Sequence, residues 1–149
     1  MREPVVADSA CLIALEQIDC LDILPALYEP VSIPPAVDRE AGTAAEWLVV
    51  AQPTNTALVN SLRLTLDAGE AEAIALAAER GIRVILDDRQ ARAVAKGLNV
   101  PLIGTIGCLL KAKQAGAIAA VRPLIEKLEA HHFYLAAALK AEALRLAGE

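Results

Sequence analysis

Val84-Ile85-Leu86-Asp87-Asp88-Arg89 reads as a buried β-strand that ends on two carboxylates and runs into a helix. An apolar run without alternation fits a strand covered on both faces, as in a parallel sheet. Near the start of the chain, Val5-Val6-Ala7-Asp8-Ser9 repeats the arrangement: a short apolar run, an acid, then a helix start. In an open α/β sheet, ligands bind beyond the carboxyl ends of the strands. Two strand ends that each deliver a carboxylate therefore point to one negative crevice. Clustered carboxylates are unstable as bare charge and call for a divalent cation, a shared proton or a basic partner.

Outward from these two stretches, the same alternation continues. Apolar runs predict strands over 5–7, 31–33, 47–51, 83–86 and 100–103. Helical spacing of apolar residues predicts helices over 10–18, 21–27, 36–41, 70–80, 89–96, 106–114, 121–131 and 134–147. A further short helix is capped by Asn55 or Thr56. Pro34-Pro35 marks a helix start, and Gly42, Gly81, Gly97 and Gly116 mark stops. Short buried strands alternating with helices predict an α/β fold, a three-layer α/β/α domain with a mainly parallel central sheet of about four or five strands. The 149 residues fit a single domain over 1–149, with C-terminal helices from about 120 to 149.

Composition narrows the function classes. The hydrophobic fraction is 56% and the mean hydropathy +0.43, but much of the excess is alanine, which favours packed helices. No apolar run approaches the ~20 residues of a membrane span. The opening Met1-Arg2-Glu3-Pro4 does not read as a signal peptide, so cytoplasmic residence is expected. A net charge of −5 argues against a protein that coats nucleic acid by global charge, but not against a nuclease whose acidic pocket is reversed by bound metal. Aromatics are 3% of residues, which leaves few platforms for base stacking. Cys11, Cys20 and Cys108 have no metal-like spacing and read as reduced thiols. His131 and His132 are adjacent, about 100° apart on a helix, and read as a solvated helix end.

Asp8 is the sharpest candidate, because Ser9 can cap the following helix and leave the Asp8 carboxylate to the crevice. Asp87 and Asp88 face opposite ways in extended backbone. Asp88 is preferred for the crevice, with Asp87 the alternative and the other acid capping the helix. Glu70 lies in the first turn of its helix, where the dipole favours an anion. Glu72 is about 200° around the axis from Glu70 and reads as solvated. Glu40 alone reads as solvent-facing, and only the other carboxylates raise its standing. Arg89, Arg92 and Lys96 form a basic stripe, either a solvated face or a contact for phosphate. Thr105 follows Gly104 at a strand-to-helix turn and either caps the helix or holds an anion.

The segments around Asp8, Ile33-Pro-Pro-Ala-Val-Asp-Arg-Glu40, Leu66-Asp-Ala-Gly-Glu70-Ala-Glu-Ala-Ile-Ala-Leu-Ala, Val84-Ile-Leu-Asp87-Asp88-Arg-Gln-Ala-Arg and Gly97-Leu-Asn-Val-Pro-Leu-Ile-Gly-Thr-Ile-Gly-Cys resemble the PIN domain superfamily. They are most similar to its DUF3368 branch, predicted nucleic-acid-binding proteins akin to VapC-type toxins. The resemblance implies a Mg²⁺ or Mn²⁺ site and cleavage of single-stranded RNA. It matches the family's four acids to Asp8, Glu40, Glu70 and Asp88, of which Asp8, Glu70 and Asp88 are the expected metal ligands; Arg89, Arg92 and Thr105 are expected toward the substrate from the basic stripe and the turn they occupy. The third acid is usually Asp, and the longer Glu70 puts catalytic efficiency in question. The resemblance also implies a homodimer and a small antitoxin partner. Two rival readings remain: a weak or inactive PIN-like module that binds RNA or protein, and a receiver-type signalling domain, which the single acid after the first strand disfavours.

Overall fold

The computed structural model describes residues 2–149. Its strands are β1 (Glu3–Ala7), β2 (Tyr28–Ile33), β3 (Leu48–Val50), β4 (Arg83–Ile85) and β5 (Leu102–Ile103). All pair in parallel, in the order β3-β2-β1-β4-β5. Between and after them come helices α1 (Ser9–Gln17), α2 (Ile23–Leu27), α3 (Pro35–Ala41), α4 (Thr56–Leu62), α5 (Ala68–Arg80), α6 (Arg89–Gly97), α7 (Thr105–Gln114), α8 (Arg122–Ala130) and α9 (Ala137–Leu146). The expected three-layer α/β/α fold is the one observed, and the sheet is wholly parallel.

The period of two along a strand sends its side chains into two separate cores. Val5, Ala7 and Ile85 join Leu12, Leu15, Leu24 and Leu109 from α1, α2 and α7. Val6, Val84 and Leu86 join Ile74, Leu76, Ala91 and Ala95 from α5 and α6. This is why neither central strand alternates in polarity: both its faces are covered. Leu12 is fully buried in the first core. Leu12→Ala should cost about 2–5 kcal/mol in a urea melt, since the tight packing around it leaves a cavity.

Element ends differ from the sequence reading by one to three residues at many places, and two of these shape the site's surroundings. Ser9 is the first helical residue of α1, and Asp8 occupies the cap position with no side-chain cap bond. The chain leaves α6 after Gly97, not at it: Asn99 takes the left-handed turn at φ 58°, which a short polar side chain tolerates. The Val100 N–H then bonds back to Ala95 at 2.9 Å, so β5 is left with only two residues. At the other end of the domain, the Glu149 carboxylate accepts from the Val121 and Arg122 N–H groups at 2.7 and 3.0 Å and pairs with Lys113 at 2.9 Å. Those backbone bonds, with Lys113, hold its carboxyl down at about 2. Among the described residues no helix is long and apolar enough to cross a membrane.

Candidate functional site

The strand order reverses between β1 and β4. From β1 the chain winds outward to β2 and β3, then returns to the other side of β1 for β4 and β5. Such a switch point opens a crevice at the carboxyl ends of the two strands. Ala7 is in register with Ile85, so the acids that follow, Asp8 and the Asp87-Asp88 pair, flank that crevice.

Asp8 is only 4% exposed, and its Oδ1 has no hydrogen-bond partner. An unpaired buried carboxylate oxygen is costly, and the group responds by holding its proton. Burial pushes the Asp8 carboxyl from 3.8 up to about 7, and the charges of Glu70, Asp67 and Glu40 push the same way against a backbone bond from Ser9. Glu70 is raised too, first by burial and then by Asp67, Asp88 and Glu40. Asp8 and Glu70 thus share the field of Asp67 and Glu40, and Asp88 adds to it at Glu70.

Gly69, in the first turn of α5, makes this approach possible. A Cβ there would lie 3.1 Å from Glu40 Oε2 and 3.5 Å from Asp8 Oδ1. Glycine thus lets α5 settle against both carboxylates. One residue on, Glu70 closes a capping box with Asp67: the Glu70 N–H donates to Asp67 Oδ1 at 2.8 Å, and the Asp67 N–H donates to Glu70 Oε1 at 3.3 Å. Asp88 caps α6 by accepting from the Ala91 N–H at 2.9 Å, yet stays exposed beside the cluster.

A family model described as DUF3368, PIN domain, matches residues 4–149. This chain belongs to the DUF3368 family of PIN domains. No curated protein and no solved structure matches it significantly. The fold is accordingly the nuclease-type fold of PIN domains, whose members typically use divalent metals.

In this PIN domain the first acid after β4, Asp87, has a different task from Asp88. Asp87 accepts from the backbone N–H of Thr105 at 2.8 Å and from its hydroxyl. It ties the end of β4 to the first turn of α7. Thr105 is fully buried in that clasp, so it positions Asp87 and does not face a substrate as the sequence reading expected. Arg92 is also engaged inward. Its Nη1 donates to the Leu86 carbonyl at 2.8 Å, so the basic stripe is not a uniform solvated face. Arg89 remains exposed at the start of α6.

Three contributors escaped the sequence reading. Asp67 is one: Asp67-x-x-Glu70 ahead of an apolar helix is a capping-box signature, the local signal that marks it. Gly69 carried no visible signal, since its close approach is a tertiary fact. Glu72 is not simply solvated: its Oε1 accepts the Ala36 N–H at 3.1 Å and so caps α3.

Among the described residues, no three acidic, histidine or cysteine side chains already converge at coordinating distance. The donor set nevertheless fits a hard divalent ion: every donor is a carboxylate oxygen, and buried Asp8 Oδ1 lacks a partner.

Proposed function

We propose that this PIN domain is a cytoplasmic ribonuclease that uses Mg²⁺ or Mn²⁺ to cleave single-stranded RNA. The observation that carries the reading is the orphaned oxygen of Asp8, buried at the switch-point crevice within the field of three other carboxylates, Glu70, Asp67 and Glu40. A bound divalent ion would activate water at neutral pH and offset charge on the reacting phosphate. Asp8, Glu70 and Asp88 would hold it, with Glu40 as a further ligand or an orienter. The chain's own residues do the rest. Asp8 sits between β1 and α1 and is almost wholly buried there. Asp88 is oriented by its bond from Ala91, and Glu70 by its bond from Asp67. Arg89, exposed beside Asp88, meets the RNA backbone, while Arg92 braces Leu86 from below.

The test is Mn²⁺-dependent degradation of a single-stranded RNA by purified protein. Degradation that persists in EDTA would reject the metal site. Gly69→Ala offers a second check. The added methyl crowds Glu40 Oε2, and because Glu40 is exposed it can give way, so stability should stay within about 1 kcal/mol. Divalent-ion binding by titration calorimetry should weaken about tenfold, because Glu40 has been displaced from the cluster. The toxin role, with a small antitoxin and a homodimer, belongs to the same proposal. Growth arrest on expression, relieved by a co-expressed neighbouring open reading frame, would support it.

The second reading, an RNA- or protein-binding module without cleavage, draws on the Glu70 capping bond, which already engages one of its carboxylate oxygens. It predicts RNA binding with no Mn²⁺-dependent product.

A further inference from the structure

A cavity of about 280 Å³ opens at the carboxyl ends of β2 and β3, on the same edge of the sheet as the acidic crevice. Pro35 follows β2, and Gln52 and Pro53 follow β3, so the cavity lies beyond the strands' ends as a ligand site in such a sheet should. The strand order puts it one to two strand spacings from β1, within about 10 Å. Its inner wall comes from the helices that carry the acids. α3 and α5 border both places: Arg39 and Glu72 line the cavity, while Glu40 and Glu70, on other faces of the same two helices, belong to the acidic cluster. A strand of RNA whose phosphate reacts at Asp8 would therefore lay an adjoining nucleotide over this opening.

The lining matches a nucleotide in kind. Pro53 is buried and Val59 half-buried, so the lining is mainly polar and suits hydrogen bonding to a base edge more than stacking on its face. Gln52 and Asn60 bring exposed amides, each with a donor and an acceptor side, the groups that pair with base edges. Arg39 brings an exposed guanidinium suited to a phosphate. Glu72 is fixed by its bond from the Ala36 N–H and presents its second carboxylate oxygen as an acceptor.

Resting on the nuclease reading, we propose that this cavity is a nucleobase subsite for a nucleotide flanking the scissile bond. Gln52 and Asn60 read its base and Arg39 holds its phosphate. The enzyme then prefers certain bases at one position beside the cut, as expected for recognition of splayed single-stranded RNA.

The experiment pairs two measurements on the wild type and on the double variant Gln52→Ala/Asn60→Ala, whose exposed positions should leave the melting temperature unchanged. Cut sites are mapped in an RNA with randomised bases, with Mn²⁺ present and Asp8→Asn as the blank. Binding of a labelled RNA 12-mer is measured by fluorescence anisotropy in EDTA. The expected result is a wild-type base preference at one flanking position that drops about tenfold in the double variant while Asp8-dependent cleavage persists. Arg39→Ala should weaken binding to all sequences alike and lower the salt slope by about one. A preference identical in the double variant, or none in the wild type, would overturn the subsite and leave the nuclease reading standing. If the wild type cuts nothing, the nuclease reading has failed. A flanking subsite then falls with it; binding about tenfold weaker in the double variant would keep the cavity only as an RNA-binding site, and equal binding would remove that too.

Discussion

Asp8→Asn protein should remain folded and lose Mn²⁺-dependent cleavage of single-stranded RNA by at least about a hundredfold. The amide keeps the size of the side chain but removes the charge and one of the two acceptors a divalent ion needs. In metal-free buffer the same variant should be the more stable protein at pH 8. The sign follows from where the native carboxyl titrates. Its usual value of 3.8 rises to about 7 on folding, so between those limits the native state holds a proton that the unfolded chain has released. Wild-type stability therefore falls as pH rises from about 4 to about 7 and is level above. Asparagine escapes that loss, by an amount of order 2–4 kcal/mol at pH 8 that vanishes near pH 4. Urea melts in EDTA at the two pH values measure it. Added Mn²⁺ should then stabilise the wild type and leave the variant unmoved. A variant that cuts RNA like the wild type, or a stability gap that does not depend on pH, would discard the site.

The neighbouring acids at the end of β4 should separate cleanly. Asp87→Ala leaves the buried N–H and hydroxyl of Thr105 without an acceptor, and should destabilise the protein by about 2–4 kcal/mol. Activity should fall with the folded fraction and recover on cooling. Asp88→Asn keeps an oxygen for the Ala91 N–H, so its stability should shift by less than about 1 kcal/mol. Its divalent-ion affinity should nonetheless drop at least tenfold, because an anion has left the cluster. Thermal melts and titration calorimetry on the two variants read both effects. If Asp87→Ala melted normally and Asp88→Asn bound metal normally, the roles would have to be exchanged.

Much of this was legible in the residues. Val5-Val6-Ala7 and Val84-Ile85-Leu86 announce doubly covered strands, and from them the parallel sheet with helices on both faces. The glycine stop of α3 at Gly42 and the Asn55 cap of α4 were local signals, and they appear as read. Other features depend on partners distant in sequence. The inward turn of Arg92 toward Leu86 and the burial of Thr105 against Asp87 are set by how α6 and α7 meet β4. No spacing within a helix reports that. Asp87 and Asp88 were known to face apart, but which one the clasp would claim depended on a threonine 18 residues away. Glu72 looked solvated because the backbone N–H it accepts, at Ala36, belongs to another helix 36 positions earlier.

The placement of β1 at the middle of the sheet also bears on biosynthesis. Its second neighbour, β4, is not made until nearly eighty residues later. A ribosome that has released only the first half of the polypeptide holds Asp8 and Glu40 but neither the flanking strand nor Asp88. On the proposed nuclease reading, such a nascent chain would lack part of the acidic site, which is completed only when β4 joins β1.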